Sequence, residues 1–503
     1  MTKSLFNFIK ENKEKMFFVL FLYSLSLFSI GIVNYPYIDD ISRRLNGQAK
    51  FGEHYARYFS EFSAYLVQGS RHLTDQGVAT FLLSAFLLTV TSCLVLYCFS
   101  KNNKVSWISA CASIIIGLNP WFLEAISFRF DGPYLVLSVL VSVIPFLFFD
   151  SKNSIYFVIS IISIFLMFNS YQGSSGIYII ILLSLVLLRL LEGADFRLLI
   201  KKIITSFFSY LIAVVMYLIE MSLNPQLAMR GDNTKMAALH DMPKAIYNNL
   251  HVYFDKLYTQ SARIWFYLFF LAIVAFVIYM VVNSKINRCI AFPVTLLYLI
   301  LCSSLSYGIY MFLSNPIALQ RPRYMYGFGF FVSIVLIILG SRTKFRPFDF
   351  CKGIVTMFLV YYLYTFTFTY SSVLYMQKET FVSQSMLLAE DLNDYITDND
   401  QTIYVNSFLK DSHVFHNTAL NYPILIDLVP SNSSLYWPNL LWFNSITDLN
   451  VNFVEYNFDN SNKDKFEIIE ENKLWDIYRL DDEIYVYRDL QEIDYFHGSV
   501  KYF

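Results

Sequence analysis

Charge is scarce in this sequence. Only 15% of the 503 residues are Asp, Glu, Lys or Arg, and the formal net charge is -1. That balance excludes nucleic-acid binding by bulk electrostatics. Neither a P-loop nor a dinucleotide fingerprint is present, so nothing points to ATP hydrolysis. Cysteine is confined to Cys93, Cys98, Cys111, Cys289, Cys302 and Cys351. All fall in or beside apolar runs without metal-ligand spacing, and they read as packing residues. His413 and His416 stand three apart with nothing nearby to complete a zinc site. The chain has no internal repeat and no low-complexity linker.

What remains is apolar. Hydrophobic residues make up 56% of the chain, aromatic residues 18%, and the mean hydropathy is +0.45. This is the composition of an integral membrane protein. Apolar runs of spanning length, or close to it, lie at 16–33 and near 77–99, 105–119, 133–149, 154–169, 175–191, 203–223, 264–283, 289–313, 324–340 and 352–374. They predict about 11 transmembrane helices. The first run follows Lys3, Lys10, Lys13 and Lys15, and no small-x-small cleavage site comes after it. It reads as a signal anchor with its amino end in the cytoplasm.

That parity gives short, basic inside loops: Lys101 and Lys104; Lys152; Arg197, Lys201 and Lys202; Lys285 and Arg288; Arg342, Lys344, Arg346 and Lys352. The long loops 34–76 and 224–263 and the tail then share the outside. From about residue 380 the apolar runs shorten. A helix is expected over 386–396 and strands over 402–405, 424–428, 451–454 and 483–488. The expected fold is a polytopic α-helical membrane protein with a small C-terminal α+β extracytoplasmic domain. Residues 1–375 form the membrane part and 376–503 the outer domain. Further helices are expected in the outer loops. One is amphipathic over 53–66, with Tyr55, Phe59, Phe62 and Leu66 on one face, and one covers 242–258.

The informative stretch follows the first run: Asn34-Tyr35-Pro36-Tyr37-Ile38-Asp39-Asp40-Ile41-Ser42-Arg43-Arg44. Acids beside a bilayer edge are costly to place without a use. A carboxylate within hydrogen-bond reach of a sugar hydroxyl can act as general base. The plainer reading is that both aspartates stop a helix and face water. Outer arginines run against the positive-inside pattern and want a reason. Guanidinium groups bind phosphate through paired hydrogen bonds, which makes Arg43, Arg44, Arg71, Arg321 and Arg323 candidate phosphate ligands, with lipid head-group anchoring as the alternative. A third polar group, Glu124, Arg129 and Asp131, lies in the loop between two runs, where Arg129 and Asp131 could equally pair with each other. Gln172, in the tight loop Asn169-Ser170-Tyr171-Gln172-Gly173, is a candidate for a sugar hydroxyl or simply part of a turn.

These motifs carry a resemblance. The first run, Tyr37-Ile38-Asp39-Asp40-x-x-Arg43, the amphipathic stretch and Gly69-Ser70-Arg71-x-Leu73-Thr74-Asp75 resemble the opening of the membrane glucosyltransferases that modify O-antigen. Asn119-Pro120 and Phe128-Arg129-Phe130-Asp131 are similar as well. These are the serotype-converting enzymes of lipopolysaccharide, of the GT-C class. The family's Gly-Arg-Pro-like element stands here as Ser70-Arg71-His72, without the proline.

The resemblance implies transfer of a sugar, usually glucose, from a polyprenyl-phosphate carrier to a hydroxyl of a cell-surface glycan. The site would lie on the outer face of the bacterial cytoplasmic membrane. Asp39 or Asp40 would be catalytic, and a single displacement would invert the anomeric centre. No cofactor is required by this reading, and a divalent metal, Mg or Mn, is left open. The expected partners are the lipid-linked donor, the glycan acceptor and the bilayer. A flippase or transporter of lipid-linked sugars, or a glycan polymerase, would also use outer arginines. A transporter should carry polar residues deep in several spans, whereas here the spans are nearly free of charge apart from Glu220.

Overall fold

The computed structural model describes residues 2–100, 103–228, 235–341, 346–396, 400–458 and 465–488. Lys101, Arg342 and Lys344 of the expected inside loops, and the last fifteen or so residues of the expected outer domain, lie outside the described residues. The chain forms two compact units. One comprises Met1–Ser372 with Ala419–Leu428, the other Val373–Thr418 with Val429–Phe503.

The first unit is built of helices. Among the described residues, seven helices of the chain are long and apolar enough to cross a membrane: Leu5–Val33, Ala79–Phe99, Gln172–Leu191, Phe196–Ser222, Arg263–Asn283, Arg288–Leu305 and Pro347–Asn393. Four shorter apolar helices are Trp107–Ile116, Gly132–Phe148, Asn153–Phe168 and Tyr326–Leu339. Each of the eleven apolar runs in the sequence falls on one of these. Burial varies among them. In Tyr326–Leu339 every residue but Phe328 is buried. The long helices instead present Phe17, Phe21, Phe207, Ile219, Phe270 and Ile300 outward. Apolar residues left outside in such numbers need an apolar surrounding.

Many polar groups inside the bundle are paired with one another, because an unpaired one in an apolar interior is costly. Tyr23 shares its hydroxyl with Ser92 and donates to the Ser113 carbonyl, both at 3.0 Å. Glycine permits the closest helix approach: a Cβ on Gly176 or Gly327 would overlap the carbonyl oxygen of Ser306.

The second unit carries a five-stranded sheet in the order β2-β1-β5-β4-β3. Its strands are β1 (Thr402–Val405), β2 (Asn452–Glu455), β3 (Glu467–Glu471), β4 (Asp476–Leu480) and β5 (Glu483–Tyr487). β1 pairs in parallel with β2 and β5, while β3, β4 and β5 form an antiparallel meander. Its aromatic core includes Phe381 stacked on Trp442 at 4.1 Å, with Phe408 against Phe453 at 4.8 Å.

The structure departs from the sequence expectations in four places. Residues 424–428 are not a strand. They form a single helical turn, Leu425–Leu428, within the first unit. Pro423 presets the turn, and Leu425 and Leu428 are buried three apart, a helical spacing that so short an apolar run does not reveal. β3 and β4 were not expected, since their charged sequences obscure the alternation. The helix over 386–396 is the end of one continuous helix, Arg346–Asn393. The amphipathic helix is broken in two, Phe51–Tyr55 and Tyr58–Gln68, because Ala56 takes a left-handed backbone with φ 51°. Its inward face is formed by Ser60 and Ala64, whereas Phe62 and Leu66 are exposed.

Candidate active site

The first helix ends at Val33 and the chain then turns sharply. Asn34 and Ile38 both adopt left-handed backbone, φ 56° and 45°. For a β-branched residue such as Ile38 this is strained, and such strain persists only where the surroundings enforce it. Here the enforcement comes from Asp40. Its Oδ2 accepts the N–H of Tyr37 at 3.0 Å and the N–H of Arg129 at 3.1 Å, and its Oδ1 accepts the N–H of Phe130 at 3.4 Å. Asp40 is fully buried. Burial pushes its carboxyl up to about 7, against the pull of the Arg129 and Tyr37 N–H groups and with Asp131 adding to the rise.

Asp39 is different. Its side chain is 26% exposed, and Arg43 Nη2 lies 3.9 Å from its Oδ2. The two adjacent acids thus face different surroundings: Asp40 ties the first loop to the 129–130 backbone, and Asp39 remains accessible.

The arginines divide in the same way. Arg43 is buried with its Nη2 2.9 Å and its Nε 2.8 Å from the two oxygens of Asp131. Its Nη1 donates to the Ala49 carbonyl at 2.7 Å. Asp75 joins two more: Arg44 Nε at 2.9 Å and Arg129 Nη1 at 3.0 Å. Burial raises the Asp75 carboxyl, but the Gly77 N–H together with Arg129 and Arg44 outweighs it and holds the group below the usual carboxylate range. Asp75 ends the Gly69-Ser70-Arg71-x-Leu73-Thr74-Asp75 motif, and nothing local in the sequence marks the role it has here. Arg129 and Asp131 do not pair with each other.

Glu124 is fully buried. It accepts from Arg323 twice, the N–H at 2.9 Å and Nη1 at 2.7 Å, and Arg321 Nε is 4.0 Å away. Burial raises its carboxyl while the two arginines oppose the rise. Arg321 and Arg323 remain about a fifth exposed, 23% and 20%. Gln172 donates to the Tyr55 carbonyl at 3.2 Å and to the Tyr217 hydroxyl. Arg71 is exposed, with no hydrogen bond or ion pair among the described residues. The buried Tyr37 donates its hydroxyl to the Leu428 carbonyl at 2.5 Å.

Two further features bear on ligands. Among the described residues, no three His, Cys, Asp or Glu side chains gather as a metal-ligand set. The oxygens of Asp40, Asp75, Glu124 and Asp131 are engaged by N–H and guanidinium groups, whereas Asp39 stays accessible. Separately, an apolar cleft of about 310 Å³ opens among Trp121, Phe254, Leu257, Trp265, Phe328 and Leu363. Trp121 belongs to the same loop as Glu124.

A bundle of apolar helices of membrane-spanning length, with acids and arginines gathered on the short segments between them, is the build of a membrane protein with a polar site. Its family follows from comparison. The description of the family Glucosyl transferase GtrII matches residues 9–334, and the chain belongs to this glucosyl transferase family. The matched stretch contains all the candidate site residues from Asp39 to Arg323. The chain is also similar to an uncharacterised 55.3 kDa protein from the gtrB 5′ region of Salmonella phage P22, 23% identical over 180 residues. That similarity spans 35% of this chain and 36% of the phage protein, so only about a third of the relative's length is covered.

Proposed function

We propose that the chain is an inverting, GT-C-type glycosyltransferase. It moves a sugar, glucose, from a polyprenyl-phosphate carrier to a hydroxyl of a surface glycan such as O-antigen, at the outer face of the cytoplasmic membrane. The observation that carries this reading is the division of the aspartate pair. Asp40 is locked by three backbone N–H groups, which leaves Asp39 as the accessible carboxylate, beside Arg43. In this reading Asp39 takes the proton of the acceptor hydroxyl. The acceptor oxygen attacks the anomeric carbon, the bond from that carbon to the phosphate oxygen breaks, and polyprenyl phosphate leaves with the electron pair. No step is routed through a metal.

The arginines have separate tasks here. Arg43, Arg44 and Arg129, already engaged by Asp131 and Asp75, hold the loops. Arg321 and Arg323, poised on Glu124, and the exposed Arg71 serve the anionic donor and the leaving phosphate. Family membership supports glucosyl transfer, and the apolar cleft beside Trp121 suits an isoprenoid chain.

The test is transfer from synthetic polyprenyl-phosphate glucose to the host glycan by purified wild type, Asp39→Asn and Asp40→Asn. Loss of a general base lowers turnover by about 10²- to 10⁴-fold. Asp39→Asn is expected to show that loss with an unchanged melting temperature, whereas Asp40→Asn loses stability as well. Undiminished transfer by Asp39→Asn would remove the proposed base.

A further inference from the structure

Arg57 is the one arginine of this region that neither the sequence motifs nor the mechanism uses. It sits at the break between Phe51–Tyr55 and Tyr58–Gln68, fixed by its backbone N–H to the Phe51 carbonyl at 3.0 Å. Its guanidinium carbon lies 4.8 Å from the ring centre of Tyr55 and 4.6 Å from that of Tyr171. Both rings are themselves held. Gln172 grips the Tyr55 carbonyl, and Tyr171 is fully buried and stacked on Tyr326 at 6.0 Å.

The neighbouring arginines each have an acid close by. Arg43 has Asp131, Arg44 and Arg129 have Asp75, and Arg323 has Glu124, with Arg321 beside it. Among the described residues no carboxylate pairs with Arg57. Its Nε is buried without a hydrogen-bond partner, and so is the Tyr171 hydroxyl beside it. A buried donor left unmade is costly. Two such groups side by side, on rings that prevent the guanidinium from swinging away, form a preorganised seat for an anion. The seat also has the right neighbours. Asp131 lies in electrostatic reach of both Arg57 and Asp39, and Tyr171 in reach of both Arg57 and Arg323.

We propose that Arg57, clamped between Tyr55 and Tyr171, together with the Tyr171 hydroxyl, binds the phosphate of the lipid-linked donor. This deepens the transfer reading given above and rests on it. The phosphodiester of the donor carries one negative charge, and the monophosphate that leaves gains a second as the bond to the sugar breaks. A fixed guanidinium therefore stabilises the departing phosphate more than the bound donor, which affects turnover as well as binding. A lysine keeps the charge but loses both the planar stacking and the paired hydrogen bonds.

The experiment uses the full-length protein in a phosphate-free maltoside detergent, with its melting temperature followed as polyprenyl phosphate, neutral polyprenol or phosphatidylglycerol is added. Polyprenyl phosphate is expected to raise the wild-type melting temperature and polyprenol is not. Arg57→Gln should abolish the rise, and Arg57→Lys should restore it in part. In the transfer assay Arg57→Gln should raise the KM for polyprenyl-phosphate glucose about 10- to 100-fold and lower kcat, leaving the KM for the acceptor unchanged. Should Arg57→Gln melt much earlier without ligand, Tyr171→Phe replaces it. That variant keeps the ring, and its rise should be smaller than wild type.

An equal rise in wild type and Arg57→Gln overturns the proposal. So does an Arg57-dependent rise of the same size with phosphatidylglycerol, which would make the seat one for bilayer headgroups. Arg57-dependent binding of polyprenyl phosphate without glucose transfer would retain the seat and refute the transfer reading. Transfer with an unchanged donor KM in Arg57→Gln would do the reverse.

Discussion

At the scale of single residues, the aspartate pair shows what a sequence can convey. Two acids after an apolar run stand out by position alone, and adjacent residues rarely share one face. Which of them is locked depends on Arg129 and Phe130, almost ninety positions later, and no local pattern carries that. Arg57 was harder still. The helical wheel places it off the apolar face, and its distinguishing contact is with Tyr171, in a loop that reads as a turn.

The Asp40 environment has a measurable consequence. Its folded-state carboxyl is raised from 3.8 to about 7. Across that window the folded protein holds a proton the unfolded chain has released, so stability falls as pH rises through it. Asp131 and Glu124, also raised by burial, act in the same direction. The melting temperature of the purified protein is therefore expected to fall between about pH 5 and about pH 8, and Asp40→Asn to flatten that slope. An unflattened slope in Asp40→Asn would assign the effect to other groups.

At the scale of elements, the apolar runs were legible because each is a continuous stretch of helix-compatible residues. Which of them are enclosed, as Tyr326–Leu339 is, and which face outward was not, because composition does not say which face meets a neighbour. The glycines mark such places. Gly176 and Gly327 approach the same Ser306 carbonyl, and backbone there cannot yield as a flexible side chain can. Gly327→Ala is expected to destabilise by about 1–3 kcal/mol, the range for overpacking a close contact. Melting of the two proteins side by side in detergent checks this, and a stabilised variant would mean that the approach relaxes freely. The single turn Leu425–Leu428 is the opposite case. Four apolar residues after a proline satisfy a strand pattern as readily as a helical one, and only their burial partners in the first unit decide.

At the scale of the whole molecule, the mixed α/β character of the last hundred residues could be read from their composition, but not that Ala419–Leu428 belongs with the helical unit. Asp427 there accepts from Lys256 at 3.0 Å and Gln260 at 2.8 Å, and Gln260 in turn accepts from Trp121 at 3.0 Å. A chain ended after Asn393 loses all of this together with the Leu428 carbonyl. It is expected to melt earlier than the full chain and to transfer no sugar. Asp427→Asn in the full chain removes only a partly exposed ion pair and should cost less than about 1 kcal/mol. Equal melting of the truncated and full chains would show that this segment is dispensable to the helical unit.

The bond from Tyr37 to Leu428 joins residues 391 apart in the chain. During synthesis, at about 5–20 residues per second, the loop carrying Asp39 is made about 20–80 seconds before its partner exists. The newly inserted protein passes that interval with Tyr37 lacking its acceptor. Assembly in the cell thus sets a delay between insertion of the first helix and the first moment at which the loop can take its final form.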